Sequence, residues 1–166
     1  MNYERDWNDN RNAVGFAVEC ARLALPFYGG DRRSDVVAAI EIAEGCVNDE
    51  PNAHRGARAA ACAARAAIAR AAATSGDDRA AASAATYTAL AAYDAIADIT
   101  SDGTHASYAA CDAGHAGVDS GEIQIAFARW VIRDLSCGRN LDEELRQAAG
   151  AAVVAGDEAL AQELLQ

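Results

Sequence analysis

Apolar residues recur every three or four positions along most of the chain, which is the spacing of one face of an α-helix. The clearest case is residues 120–135, where the apolar positions share one face: Ile123, Phe127, Trp130, Val131 and Leu135. In residues 8–27 the same spacing is carried by Val14, Ala17, Ala21 and Leu25. No segment shows the convincing apolar and polar alternation of a half-buried strand. The pattern therefore predicts an all-α protein.

Turn-forming and capping residues divide this pattern into six to eight predicted helices. Their expected bounds, in chain order, are about 8–27, 34–44, 52–73, 77–99, 105–118, 120–135, 141–145 and 157–165. Asp31 or Ser34 is expected to cap the second helix, and Gly45 to end it. Residues 102–104 are expected to break the chain, and Asn140 to cap the helix of residues 141–145.

Alanine fills half of residues 52–97, which are interrupted by one turn at residues 74–77. It is the best helix former and the smallest side chain that still packs, so two such helices can lie very close together. We expect them to form an antiparallel hairpin at the centre of a compact bundle. The chain is expected to be a single domain over residues 1–166, with core helices in about 8–135 and acidic helices in about 140–165.

Charge restricts the possible partners, because the chain has 25 acidic residues against 14 arginines, no lysine and a net charge of −11. Such a charge repels nucleic acid and anionic membranes at long range and attracts cationic partners. Residues 1–6 are polar and charged, unlike a secretory signal peptide, and the most apolar window, residues 80–99, contains Asp94 and Asp98. We therefore expect a cytoplasmic protein that binds neither nucleic acid nor membrane.

Five cysteines are scattered without close pairs, which favours buried free thiols in a reducing compartment: Cys20, Cys46, Cys62, Cys111 and Cys137. Cys111 and His115 are four residues apart and could share a zinc ion, with His105 or Asp112 as a third ligand. An ordinary helix with a half-buried histidine is the favoured alternative, because the chain has no second Cys/His pair. No cofactor is expected.

Motifs of catalysis are missing from the sequence, which has no nucleophile elbow, glycine-rich phosphate loop or paired metal-ligand motif. Two glutamate pairs have the chemistry of an acid and a base, but they are interpreted as solvated helix faces: Glu41 with Glu44, and Glu143 with Glu144. The sequence therefore predicts a protein that is not an enzyme.

Four arginines form a stripe on the predicted third helix: Arg55, Arg58, Arg65 and Arg70. They are expected either to grip phosphate or an acidic partner, or to pair with neighbouring carboxylates. The second interpretation is favoured in so acidic a chain.

Acidic residues are concentrated in residues 140–166, which contain six of them against one arginine. Another row lies at near-helical spacing further up the chain: Asp94, Asp98 and Asp102. Either this surplus only provides solubility, or it steers the chain towards a basic protein. The candidate partner-binding residues are Asp142, Glu143 and Glu144, because they cluster in a predicted first helical turn.

Several short segments resemble the Imm-5-like family of immunity proteins. They are residues 20–28, 31–33, 39–41 and 44–45, the paired alanine helices, and the late segment around Trp130. The resemblance covers about residues 10–135. It implies a small alanine-rich helical domain, encoded near a toxin, that neutralises the toxin by binding and carries out no catalysis.

The predicted function is therefore stoichiometric inhibition of a basic toxin or nuclease by an immunity-type protein. One alternative is a phage-encoded anti-defence inhibitor of a host nuclease complex. Further alternatives are a small metal-binding enzyme that uses Cys111 and His115, and a structural homo-oligomer that packs through its alanine face. The oligomeric state is left open.

Overall fold

A computed structural model describes residues 2–48, 76–97 and 102–166, and these residues form seven α-helices. The helices are α1 (Asn10–Ala24), α2 (Arg33–Val47), α3 (Gly76–Ala97), α4 (Asp102–His115), α5 (Ser120–Leu135), α6 (Glu143–Val154) and α7 (Glu158–Leu164). A single 3₁₀ turn, Leu25–Phe27, follows α1. The described ranges contain no strand, and their helices pack into a compact bundle, so the all-α prediction is confirmed.

The predicted helix over residues 52–73 lies outside the described residues, together with its arginine stripe, Cys62 and the hairpin it would form. The helix predicted over residues 77–99 corresponds to α3, which packs against α1, α2 and α4. Alanines on several sides of α3 are fully buried, whereas its larger residues Tyr87, Leu90 and Tyr93 are only partly buried. The close packing of α3 therefore depends on alanine rather than on its larger side chains.

Thr88 shows how tightly α3 meets α1. Its side chain is fully buried, and its hydroxyl lies 2.9 Å from the carbonyl oxygen of Ala17 on α1. The same hydroxyl lies 2.8 Å from the carbonyl oxygen of Ala84, one turn earlier on α3. A buried hydroxyl needs a hydrogen-bond acceptor. Because the short threonine side chain reaches a backbone carbonyl of α1, the two helices must lie close together.

Aromatic rings join the N-terminal segment to the bundle. Phe16 on α1 lies 5.2 Å from Phe127 on α5, measured between ring centroids, and Tyr3 lies 5.3 Å from Phe127. Trp7 approaches the same two phenylalanines at 6.2 Å. The segment before α1 therefore forms part of the hydrophobic core.

Asp134 on α5 fixes this segment in place. Its buried carboxylate accepts hydrogen bonds from Arg5 Nη1 at 2.8 Å, from the backbone N–H groups of Asn8 and Asp9 at 2.9 Å, and from Asn12 Nδ2 at 2.9 Å. Burial alone would raise the pKa of Asp134, but these donors outweigh it, so the pKa lies below its ordinary value.

Two predicted helix boundaries are wrong. The second helix does not end at Gly45 but continues to Val47, because Cys46 and Val47 also pack against the core. It is capped by neither Asp31 nor Ser34, since Arg32 occupies the N-cap position without a side-chain bond.

Residues 102–104 do not break the chain, because α4 already begins at Asp102. Gly103 lies against the N-terminal segment: a Cβ atom at this position would be 2.7 Å from the carbonyl oxygen of Arg5. The glycine therefore permits close packing inside a helix instead of ending one. Within the described ranges, no helix has the length and apolar character needed to cross a membrane.

Candidate binding face between helices α5 and α6

An open apolar groove of about 690 Å³ lies between α5 and α6. Ile125 and Ile132 line it from α5, and the small residues Gly150 and Ala151 leave room on the α6 side. Ile125 is 59% exposed and Val154, at the end of α6, is 40% exposed. Contiguous apolar surface of this kind is typical of a binding site.

Beside the groove lies a pocket of about 380 Å³ whose lining includes four arginines: Arg129, Arg133, Arg139 and Arg146. The groove and the pocket share Arg129, Ile132 and Arg146, so they form one continuous surface. We call this surface the α5–α6 face and its arginine-lined part the arginine pocket.

Contacts to α1 position the two arginines of α5. Arg129 Nη1 lies 2.5 Å from Glu19 Oε1, and the other carboxylate oxygen of Glu19 accepts a hydrogen bond of 2.8 Å from Trp130 Nε1. The guanidinium of Arg133 lies over the Trp130 ring, 5.0 Å from its centroid. The indole, which packs on α1, therefore supports one side of the arginine pocket.

The turn after α5 brings Arg139 into the pocket. Cys137 and Gly138 have positive φ angles of 52° and 72°, and the Gly138 N–H donates to the carbonyl oxygen of Arg133 at 2.9 Å. The reversed chain then places Arg139 where its guanidinium donates to the backbone carbonyl oxygens of Ser136 and Leu165. These neutral acceptors orient the side chain without cancelling its charge.

The three predicted partner-binding residues lie in the first turn of α6 and are all exposed. Asp142, and not Asn140 as predicted, is the N-cap, and its carboxylate accepts from the Leu145 N–H at 2.8 Å. Glu143 lines the apolar groove and accepts from Arg146 Nη1 at 2.7 Å. These carboxylates thus lie beside arginines, and the local surface carries both signs of charge.

The structure does not bring together the residues that were considered as an alternative zinc site. Cys111 is exposed, and His115 Nδ1 lies 3.7 Å from Asp112 Oδ1, but His105 turns elsewhere. His105 Nδ1 lies 2.7 Å from Asp94 Oδ2, and the imidazole ring stacks on a tyrosine ring of α3. Among the described residues, no three His, Cys, Asp or Glu side chains are grouped closely enough to hold a metal ion.

A row of surface acids was also expected near the end of the helix predicted over residues 77–99, and this expectation is wrong for the first acid of the row. Asp94 is buried, with its Oδ2 atom 2.7 Å from His105 Nδ1, so it does not lie on the exposed surface. Asp98 and the side chain of Asp102 lie outside the described residues.

Two of the four described cysteines do not fit the prediction of buried thiols. Cys20 is buried, which raises its pKa well above the ordinary value, and Cys46 is half-buried. Cys111 and Cys137 are exposed, and all four are free thiols.

The glutamate pair on α2 has two different environments. Glu41 is exposed, as expected for a solvated face. Glu44 is instead tied to α1, because Arg22 donates to its two carboxylate oxygens at 2.7 and 2.6 Å. It links the two helices, and its side chain is 34% exposed, so it is only partly solvated.

Comparisons of the chain with models of protein families, with curated proteins and with solved structures find no match. The resemblance to the Imm-5-like family therefore stays a prediction. The function has to be argued from the α5–α6 face.

Proposed function

We propose that this chain is a non-catalytic, immunity-type inhibitor that binds a toxic protein on its α5–α6 face. The observation that carries the proposal is the open apolar groove of about 690 Å³, with Ile125 and Val154 exposed at its edges. Protein interfaces combine an apolar centre with a polar, charged rim, and this face has both.

The charge of the whole chain supports a basic partner. A net charge of −11 attracts a cationic protein over long distances and raises the rate of encounter. Affinity would then come from apolar contacts in the groove, where a few well-buried side chains contribute most of the binding energy. A basic toxin or nuclease would be attracted by the net charge and then held by apolar contacts in the groove.

The experiment uses the toxin encoded in the neighbouring reading frame. Binding is measured by calorimetry, and protection by growth of cells that express both proteins. Ile125→Asp places a charge in the groove, whereas Leu160→Asp places one on an apolar residue of α7 that is 43% exposed and does not line the groove. We expect one-to-one binding and protection by the natural chain and by Leu160→Asp.

Ile125→Asp should weaken binding by about 100-fold and abolish protection, as at an interface hot spot. Equal binding by Ile125→Asp and the natural chain would remove the groove from the interface. Absence of any binding to a neighbouring toxin, and of protection, would contradict the immunity role itself.

A further inference from the structure

We infer that the arginine pocket binds a carboxylate of the same partner segment whose apolar side chains occupy the groove. This inference rests on the proposed function and specifies the partner: an amphipathic segment with an acidic residue beside its apolar stripe. It adds a specific polar contact to a surface that would otherwise recognise only apolar groups.

The lining of the arginine pocket is basic. Four arginines line it, and its other lining residues are serine, asparagine, glycine and apolar residues, with no acid among them. The chain as a whole has an excess of acids, 25 against 14 arginines. The charged residues that line the pocket are therefore basic in an otherwise acidic chain, which suits a negatively charged group.

The four arginines of the pocket differ in their partners. Arg129 and Arg146 are bonded to Glu19 and Glu143. Within the described part of the chain, Arg133 and Arg139 have no carboxylate within 4 Å; one lies over an indole and the other donates to carbonyl oxygens. A guanidinium offers a planar fork of donors that matches the two oxygens of a carboxylate.

The arginine pocket is continuous with the apolar groove. The pocket and the groove share Arg129, Ile132 and Arg146, so one bound segment can reach both without crossing a barrier. A carboxylate fixed at the arginine end would also set the direction in which the apolar part enters the groove. Charged contacts of this kind determine the register of a complex more than its total affinity.

The net charge of the chain restricts which negatively charged group can reach the pocket. A polyanion such as nucleic acid would be repelled by the net charge of −11 before it reached the pocket. A single carboxylate on a partner that is basic overall does not meet this repulsion. The acidic group is therefore assigned to a protein segment.

The test uses the full chain to select binders from a displayed library of random peptides. The affinities of the selected peptide, and of its analogue with each Asp or Glu changed to Asn or Gln, are then measured by fluorescence anisotropy. The double variant Arg133→Gln with Arg139→Gln removes the two charges that have no carboxylate within 4 Å among the described residues. Arg79→Gln is the matched control, because Arg79 is exposed on α3 and lies outside the pocket.

We expect selected peptides to combine apolar residues with Asp or Glu, and the neutral analogue to bind the natural chain about 10-fold more weakly. The double variant should no longer distinguish the peptide from its analogue, whereas Arg79→Gln should behave like the natural chain. Ile125→Asp should lower the affinity for both the peptide and its neutral analogue. Arg133→Lys, which keeps the charge but loses the fork, should retain only part of the preference.

Peptides without a preference for acids, or a double variant with unchanged preference, would overturn the inference while leaving the groove in place. Peptides that bind Ile125→Asp normally would reject the groove, and with it the proposed function. Self-association of the chain that Ile125→Asp abolishes would overturn both, because a second copy would then be the occupant.

Discussion

A single buried carboxylate, Asp134, connects three parts of the molecule. It is only 2% exposed, and the groups that donate to it come from the N-terminal segment and the start of α1. Arg5, which is also bonded to Glu158 on α7, is itself largely buried. Removal of the carboxylate charge would leave the largely buried Arg5 with only the half-exposed Glu158 as a counter-charge, which is strongly unfavourable.

Asp134→Asn should therefore lower the free energy of unfolding by about 3–5 kcal/mol. The measurement is urea denaturation followed by circular dichroism. Glu144→Gln, which changes an exposed carboxylate in the same way, should change stability by less than about 0.5 kcal/mol. A loss below about 1 kcal/mol for Asp134→Asn would show that Glu158 and solvent stabilise the Arg5 charge without Asp134.

The same residue predicts a pH dependence of stability. Because the pKa of Asp134 is lowered in the folded protein, its contribution is fully present above the unfolded value of about 3.9 and is lost as the pH falls through the folded value. The stability difference between the natural chain and Asp134→Asn should therefore be constant from about pH 5 to 7 and shrink below about pH 4. A difference that stays constant at low pH would contradict this assignment.

Gly15 marks the closest contact between α1 and α5. A Cβ atom there would lie 2.2 Å from a ring carbon of Trp130, so Gly15→Ala must displace the indole. We expect a loss of about 1–3 kcal/mol and a changed near-ultraviolet circular dichroism spectrum. Gly114→Ala is the control, since its Cβ would meet Ile123 at an ordinary 3.8 Å, and it should stabilise α4 by up to about 1 kcal/mol.

At the level of the helices, the sequence predicted best where the pattern is local. The stripe from Ile123 to Leu135 placed α5 at the bounds that the structure shows. The start of α4 was missed because Gly103 packs against the backbone of Arg5, a contact between distant parts of the chain that leaves no local trace. The capping aspartate of α6 was confused with a nearby asparagine, since both are good caps.

The binding face was only partly predictable for the same reason. Ile125 lies outside the buried stripe of its helix, so its exposure could have been found from helical periodicity. The position of Arg139 could not, because it depends on the reversed turn at Cys137 and Gly138. The arginine pocket exists only once that turn is formed.

Asp142→Ala tests which residue caps α6. Loss of the bond to the Leu145 N–H should cost about 1 kcal/mol in urea denaturation, whereas Asn140→Ala should have almost no effect. The opposite ranking would restore Asn140 as the cap and move the start of the helix.

For the whole molecule, the sum of the charges and their local arrangement have different consequences. The net charge of −11 acts at long range, whereas the α5–α6 face presents arginines beside the carboxylates of α6. Salt should therefore reduce the rate of association with a basic partner far more than the lifetime of the complex.

The acidic turn at the start of α6 consists of Asp142, Glu143 and Glu144. Glu144 is the best residue for testing its role in binding, because Asp142 caps the helix and Glu143 forms an ion pair with Arg146. Glu144→Lys should slow association with the basic partner at low salt, and the effect should fade at high salt, as measured by stopped-flow fluorescence. Glu41→Lys on α2 is a control of equal charge change at an exposed site. Equal rates for the two variants would remove the acidic turn from the interface.

The bridge made by Arg5 has a consequence for local opening. It connects the N-terminal segment at once to Asp134 and to Glu158, at distances of 2.8 and 2.5 Å. Separation of α7 from the bundle requires loss of its contact with Arg5, which Asp134 holds in place. We therefore expect amide protons near Glu158 to exchange with solvent more slowly than those of a terminal helix that has no contact with a residue held by the core.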